Sequence, residues 1–245
     1  FHYTSLRSPA PFRRLRINSS IMSDKAPTFL FDLDGTLVDS APDLVAAINE
    51  TRRDEGLSPV PYEAIRIYAS KGAPGLLRAA YGIDRDDPTF ADRRERFLRH
   101  YGESGFTGSK LYTGVEEMLR TLRESGWRLG VVTNKVEPLA HPLCERLGLM
   151  KYLDIVIGSD HEGCTMKPSP SMLLTAMEIL QADPHGTFYA GDDPRDVEAA
   201  KAASIPCAAC AWGYIHTAVE SWGANFIAET PEDLSTWAII HGATF

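Results

Sequence analysis

The sequence is short of cysteine, of long apolar runs and of positive charge, and each shortage excludes a class of protein. Four cysteines in 245 residues are too few for a disulfide scaffold. No apolar run approaches the roughly 20 residues that a membrane-spanning helix needs, so we expect a soluble, cytoplasmic protein with no membrane partner. The formal net charge of -8 disfavours nucleic-acid binding, because phosphate backbones attract basic surfaces.

Histidine and cysteine spacings do not indicate a zinc site. The seven histidines are scattered singly along the chain and lack the spacing of zinc ligands. Cys207 and Cys210 have C-x-x-C spacing, but they lie in the apolar stretch 206–212 without a second ligand pair. We therefore expect buried, reduced thiols at both positions.

The first 21 residues differ in composition from the rest of the chain. They contain several arginines and serines and no acidic residue, which is typical of an organelle transit peptide. Met22 begins Met-Ser-Asp-Lys just before the first predicted strand, so an upstream extension is the other interpretation. Under either, we expect residues 1–21 to be weakly ordered and to take no part in the fold.

From residue 112 onward, short apolar runs alternate with amphipathic helical patterns. With one earlier strand, the predicted strands span residues 28–31, 129–132, 155–157, 187–190, 207–211 and 226–228. The helices are expected at residues 114–125, 138–147, 171–180 and 194–203. Alternating strands and helices indicate an α/β fold with a doubly wound parallel sheet and helices on both faces.

Residues 40–110 interrupt this alternation and carry only helical patterns. Four helices are expected there, at residues 42–53, 61–69, 74–81 and 88–101. Ser40 followed by Pro42 is a typical start signal for the first of them. We therefore expect a core of residues 22–39 and 111–245, with an inserted α-helical cap at residues 40–110.

Two carboxylates stand where the first strand ends. Asp32 and Asp34 share one face, because side chains two apart in a strand do so, and Gly35 then permits a sharp turn. One carboxylate of such a pair can attack a phosphoryl group while the other acts as general acid and base. An ordinary acidic turn is the alternative for this motif taken alone.

Three later segments bring polar groups to the same edge, since ligands bind at the carboxyl ends of parallel strands. Thr133 and Asn134 offer a hydroxyl and amides to phosphate oxygens, and Lys167 offers a positive charge. Asp192 and Asp196 follow a later strand. Carboxylates about 4 Å apart repel each other by about 4 kcal/mol per pair, so we expect a Mg2+ ion among them.

These four segments resemble the four motifs of the haloacid dehalogenase superfamily, and the likeness covers residues 28 to about 235. The resemblance implies that Asp32 is the nucleophile and Asp34 the general acid–base. It assigns Mg2+ binding to four aspartates, Asp32, Asp34 through its carbonyl oxygen, Asp192, and Asp196 in support. It assigns the phosphoryl group to Thr133, Asn134 and Lys167.

Within the superfamily, the inserted cap, Val38-Asp39-Ser40 and Trp212-Gly213-Tyr214 resemble the phosphoglycolate phosphatase branch. The segments at residues 214–216 and 221–224 are also similar to N-acetylmuramic acid 6-phosphate phosphatases. Ser70-Lys71-Gly72-Ala73 occupies the substrate loop, which is often richer in glycine in phosphoglycolate enzymes. Lys71, a candidate to meet a substrate carboxylate, and Gly72 are therefore predicted to contribute to substrate specificity.

The motifs together predict a Mg2+-dependent phosphatase that hydrolyses a small organic phosphomonoester through an aspartyl-phosphate intermediate, as a monomer or homodimer. Phosphoglycolate is the leading substrate, and N-acetylmuramic acid 6-phosphate or another sugar phosphate is the alternative. A phosphomutase, a dehalogenase and a noncatalytic phosphate-binding protein remain alternative classes. Release of free phosphate would exclude a phosphomutase, loss of activity with EDTA would exclude a dehalogenase, and turnover would exclude a noncatalytic protein.

Overall fold

The computed structural model describes residues 25–242, so the predicted extension at residues 1–21 lies outside the described residues. The strands are β1 (Thr28–Phe31), β2 (Val38–Asp39), β3 (Lys110–Leu111), β4 (Arg128–Val132), β5 (Ile155–Ile157), β6 (Thr187–Gly191), β7 (Cys207–Cys210) and β8 (Phe226–Ala228). The helices are α1 (Ala41–Asp54), α2 (Tyr62–Ile65), α3 (Gly72–Tyr81), α4 (Phe90–Glu103), α5 (Val115–Glu124), α6 (Glu137–Arg146), α7 (Ser171–Leu180), α8 (Pro194–Ala202) and α9 (Pro231–Gly242).

Six strands form a parallel sheet in the order β5-β4-β1-β6-β7-β8. This confirms the predicted doubly wound α/β fold. Strand β1 lies between β4 and β6, and its residues are fully buried, as its continuous apolar sequence predicts for a strand covered on both faces. Phe31 pairs with Val131 and with Ala190, which places the carboxyl ends of three strands side by side.

Helices cover both faces of the sheet, and each face has its own apolar core. On one face, Phe29 and Phe188 pack with Trp127 and with Trp237 of α9. On the other, Leu30 packs in a cluster that includes residues of α7 and α8. The sequence patterns did not predict α9, which closes the first of these cores.

Helices α1 to α4 lie between two short strands, β2 and β3, which pair in an antiparallel ribbon. The ribbon was not predicted, because two-residue strands are too short to show a period of two. Glu55, just after α1, binds Arg93 and Arg96 of α4 at 2.8 and 2.7 Å. The division into a core and a cap at residues 40–110 stays a prediction.

Two features that the composition predicts can be examined in the described residues. Between residues 25 and 242, every helix falls short of the length and apolar content needed to cross a bilayer. Cys207 and Cys210 are buried free cysteines in β7, and burial raises the pKa of both thiols well above its ordinary value. Both therefore resist ionisation at neutral pH.

Candidate active site

Asp32 and Asp34 lie at the carboxyl end of β1, in the middle of the sheet. Both are buried, at 6% and 8% exposed. Gly35 then turns the chain with a φ of +86°, a conformation that glycine adopts without strain. A Cβ at Gly35 would lie 2.0 Å from Oδ2 of Asp192. The glycine therefore both ends the strand and lets a carboxylate from another strand approach the turn.

Lys167 joins Asp32 to Asp196. Its Nζ lies 2.8 Å from Oδ1 of Asp32 and 2.7 Å from Oδ1 of Asp196, and it donates a hydrogen bond to the hydroxyl of Tyr189. Burial by itself lowers the pKa of Lys167, but attraction to the two carboxylates raises it above its ordinary value. The lysine is therefore a fixed positive charge beside Asp32.

Asp192 completes a group of three carboxylates with Asp32 and Asp196, in which one oxygen of each lies within 4.8 Å of the others. Burial, and then the charges of Asp32 and Asp196, raise the pKa of Asp192 well above its ordinary value. Its buried Oδ1 has no hydrogen-bond partner among residues 25–242. Clustered carboxylate oxygens, one of them unpartnered, fit a hard divalent cation such as Mg2+.

Asp34 has a different environment from these three carboxylates. Its Oδ1 accepts a hydrogen bond from the hydroxyl of Ser40, and its Oδ2 lies 3.1 Å from Nζ of Lys135. Lys135 also donates to the hydroxyl of Tyr101 on α4, at 3.1 Å. Because its carboxylate is held by these donors, Asp34 would reach a cation through its backbone carbonyl, as the resemblance implies.

Thr133 and Asn134 follow β4 at the same edge of the sheet. The N–H of Thr133 donates to the carbonyl of Ile157 at 3.0 Å. Sheet pairing therefore occupies the Thr133 amide, and the hydroxyl is the group that Thr133 has left for a ligand. The Asn134 side chain exchanges hydrogen bonds of 2.8 and 3.2 Å with the backbone of Lys167, and it thereby fixes the loop that carries the lysine.

A cavity of about 250 Å³ lies between these residues and the helices of segment 40–110. The segment meets the sheet edge directly, since the hydroxyl of Ser70 donates to Oδ2 of Asp192 at 2.5 Å. Arg195, which is paired with Asp193, donates to the carbonyl of Ser70 at 2.8 Å. The basic side chains that line the cavity are Arg85, Arg94, Lys135, Lys167 and Arg195.

The two residues predicted to govern specificity lie differently with respect to this cavity. Gly72 lines it, with a φ of +61°. Lys71 is not among the described residues that line it, and its Nζ lies 5.7 Å from the centre of the Tyr68 ring. Of the two, Gly72 is therefore placed to touch a bound molecule, and the cations that face the cavity come from elsewhere.

Comparison with known proteins identifies the family. Residues 29–210 match the family described as haloacid dehalogenase-like hydrolase. The chain belongs to this family. The family that the four motifs predict is therefore confirmed for this haloacid dehalogenase-like hydrolase. Its parallel sheet is the core expected for the family.

The relatives of this haloacid dehalogenase-like hydrolase are named as phosphatases, which confirms the predicted type of enzyme. It is 38% identical over 207 residues to the N-acetylmuramic acid 6-phosphate phosphatase of Pseudomonas aeruginosa, covering 84% of this chain and 91% of that protein. It is 38% identical over 216 residues to the phosphoglycolate phosphatase of Rhodospirillum rubrum, covering 85% and 89%. A crystal structure described as a predicted phosphoglycolate phosphatase from Haemophilus somnus superposes with a TM-score of 0.77, at 25% identity, covering 86% and 97%.

Sequence reasoning missed several residues that shape the site. Lys135 is not among the predicted site residues, yet it is buried against Asp34. Tyr214 was noted only in a family resemblance, yet its N–H donates to Oδ2 of Asp192 at 2.8 Å. A cation directly after a strand and an aromatic residue in a loop are weak local signals, because their partners lie far away in sequence.

Proposed function

We propose that this hydrolase cleaves small organic phosphate monoesters with Mg2+, and that phosphoglycolate is its leading substrate. The observation that carries the proposal is the position of Lys167, whose Nζ lies 2.8 Å from Asp32 at the carboxyl end of the central strand. A carboxylate that attacks a negatively charged phosphoryl group needs such a neighbour, because the charge of the ester otherwise repels it.

In the proposed reaction, an oxygen of Asp32 attacks phosphorus and the bond to the leaving oxygen breaks, which gives an aspartyl phosphate. Asp34 donates a proton to the leaving oxygen, which departs as the alcohol. Asp34 then accepts a proton from a water molecule that attacks the aspartyl phosphate, which releases inorganic phosphate and restores Asp32. The hydrogen bond from Ser40 and the charge of Lys135 keep the Asp34 side chain in place for both proton transfers.

The phosphoryl group lies against the hydroxyl of Thr133 and the ammonium of Lys167. Asn134 contributes indirectly, because its side chain holds the backbone of Lys167. Asp32, Asp192 and the carbonyl of Asp34 would hold Mg2+, with Asp196 in support. The ion would supply positive charge to offset the charge of the carboxylates and of the phosphoryl oxygens. The unpartnered Oδ1 of Asp192 supports this assignment.

Segment 40–110 closes the site over the bound ester. Its contacts with the sheet edge, from Ser70 to Asp192 and from Tyr101 to Lys135, exclude bulk water while phosphoryl transfer takes place. The contacts must then break to release products. Closure of this kind favours a small ester that fits entirely within the cavity.

Cavity size favours phosphoglycolate over the larger alternative. The space of about 250 Å³ lies just below the roughly 300–1,000 Å³ typical of sites for drug-sized ligands. N-acetylmuramic acid 6-phosphate stays the second candidate, because a relative with that name is as similar to this chain as the one named for phosphoglycolate.

A panel of phosphate esters, assayed for free phosphate with Mg2+ and with EDTA, tests this proposal through kcat/KM for each ester. We expect turnover with Mg2+, loss of turnover with EDTA, and the highest kcat/KM for phosphoglycolate. Asp32→Asn should abolish turnover and leave the circular dichroism spectrum unchanged, whereas Asp86→Asn, at an exposed carboxylate outside the cavity, should have no effect. Full activity in Asp32→Asn would refute the nucleophile, isomerisation without free phosphate would indicate a phosphomutase, and EDTA-resistant turnover would refute the metal.

A further inference from the structure

Helix α4 carries a basic residue within its apolar face. Phe90, Phe97, Leu98 and Tyr101 lie on one side of the helix, at positions that recur with the helical period, and all four line the cavity. Arg94 lies in the same stripe, four residues after Phe90, and it also lines the cavity. The period predicts an apolar side chain at this position, so the arginine requires an explanation.

Neighbouring arginines of α4 are paired with acids on the other side of the helix. Arg93 and Arg96 bind Glu55, and Arg99 lies 3.5 Å from Glu103. Arg94, in contrast, forms no ion pair with any acid in residues 25–242, a range in which each of its three neighbours has one. Its charge is therefore not required for the contact between α1 and α4.

The other cations deep in the cavity are already matched by carboxylates of the site. Lys167 is paired with Asp32, Lys135 with Asp34 and Arg195 with Asp193. Arg85 also lines the cavity without an ion pair among the described residues, but it is exposed, so Arg94 is the half-buried cavity cation that this part of the chain leaves without an acid. Partial burial of a charge among apolar side chains is unfavourable unless an opposite charge accompanies it, and a bound anion would provide that charge.

Arg94 lies away from the end of α4 that meets the reacting groups. The hydroxyl of Tyr101 accepts from Lys135, which is paired with Asp34, so Tyr101 marks the end of α4 at the sheet edge. Seven residues separate Arg94 from Tyr101, which is about 10 Å along a helix that rises about 1.5 Å per residue. An anion at Arg94 is therefore a different group from the phosphoryl group at Asp32.

We propose that Arg94 binds a carboxylate at the non-reacting end of the substrate. The inference rests on the proposed phosphatase function and narrows it to phosphate esters of small carboxylic acids. One guanidinium matches the single charge and two oxygens of a carboxylate. Phe90, Phe97 and Leu98, on the same face of α4, offer no further donors for the three oxygens of a second phosphate group, and Arg85, the other cavity cation without an ion pair among residues 25–242, is exposed.

The test compares pairs of esters that differ in the carboxylate. Phosphoglycolate is paired with ethyl phosphate, and N-acetylmuramic acid 6-phosphate with N-acetylglucosamine 6-phosphate, which lacks the lactyl carboxylate. The measured quantity is the ratio of kcat/KM within each pair. Arg94→Met should lower this ratio roughly 10- to 100-fold, the range expected for losing a charged hydrogen bond. Arg94→Lys should lower it less, and the control Arg99→Met should leave it unchanged.

Each other outcome overturns the inference in a recognisable way. An equal fall in kcat/KM for both esters of a pair would mean that Arg94 only supports the fold. If Arg94→Met lowered kcat/KM more for fructose 1,6-bisphosphate than for the carboxylate esters, Arg94 would be assigned to binding a second phosphate group. A wild-type protein that hydrolyses no ester would refute the proposed function. Calorimetric titration with phosphoglycolate would still test the carboxylate site, which an unchanged Kd in Arg94→Met would refute.

Discussion

The hydroxyl of Tyr214 holds the start of α1 from 174 residues away, which makes Tyr214→Phe an informative substitution. The hydroxyl accepts hydrogen bonds from the N–H groups of Ser40 and Ala41, both at 2.8 Å, and donates to Asp39 at 2.9 Å. Ser40 and Ala41 are fully buried. The first N–H groups of a helix have no partner within the helix, and Tyr214 supplies one here.

Removing this hydroxyl leaves two buried N–H groups without an acceptor. Each unsatisfied group costs about 1–3 kcal/mol, so we expect Tyr214→Phe to lower the free energy of unfolding by about 2–6 kcal/mol. For a chain of this size each kcal/mol shifts Tm by about 2–4 °C, which gives a fall in Tm of about 4–24 °C. Burial raises the pKa of Tyr214 far above its ordinary value, so the loss should be independent of pH between 6 and 9.

Urea denaturation and thermal unfolding of the purified variant measure this loss, with Tyr81→Phe as the matched control. The Tyr81 hydroxyl is also buried, but it has no hydrogen-bond partner among the described residues, so its removal should cost less than about 0.5 kcal/mol. If Tyr214→Phe proved as mild as Tyr81→Phe, the role of the hydroxyl at the start of α1 would be refuted.

Two further predictions concern the contact between α1 and α4 and the packing around Asp192. Hydrogen bonds from the α4 arginines lower the pKa of Glu55 below its ordinary value of 4.5. Glu55→Gln should therefore lower the free energy of unfolding by about 1 kcal/mol at pH 7, and by progressively less as the pH falls below about 4.5. Glu50→Gln, at an exposed i,i+3 pair, should lower it by less than about 0.5 kcal/mol at pH 7 and below pH 4.5. Urea denaturation measures both losses. A Cβ at Gly213 would lie 2.3 Å from Cβ of Asp192 and would displace that side chain. Gly213→Ala should therefore lower kcat/KM about 100-fold, the cost of a misplacement of about 1 Å near the reacting atoms. Gly186→Ala, with open space around the glycine, should leave kcat/KM unchanged, and equal activity of the two variants would contradict this packing.

Local sequence predicted the central strand and the groups at its end. The apolar run before Asp32 forms β1, and Gly35 turns the chain there because a residue without a Cβ both adopts a positive φ and leaves room for another side chain. Period and composition were enough because a buried strand and a turn depend on adjacent residues. Two-residue strands such as β2 and β3 carry too few residues for a pattern, and only their pairing defines them.

At Ser40 the predicted start of α1 is correct, but the side chain has a different function from the one expected. The serine marks the start of α1, as its position before Pro42 predicts. Its hydroxyl does not cap the helix, because it donates to Asp34. Tyr214 supplies the acceptor instead. The sequence around Ser40 does not indicate that the Tyr214 hydroxyl replaces the serine hydroxyl as the acceptor at the start of α1. That replacement depends on which loop folds against the helix.

By itself, the sequence determined the alternation of strands and helices and the residue types at the end of each strand, because these depend on neighbours along the chain. The tertiary structure alone decided that β1 lies between β4 and β6, which brings Asp32, Lys167 and Asp192 together. It also decided which half-buried cation of the cavity has no ion pair among residues 25–242. Lys71 and Arg94 are both basic residues of the helical segment, but only the folded chain shows that Arg94 faces the cavity while acids elsewhere bind its neighbours. Charges are paired through space, and spacing along a chain does not fix that distance.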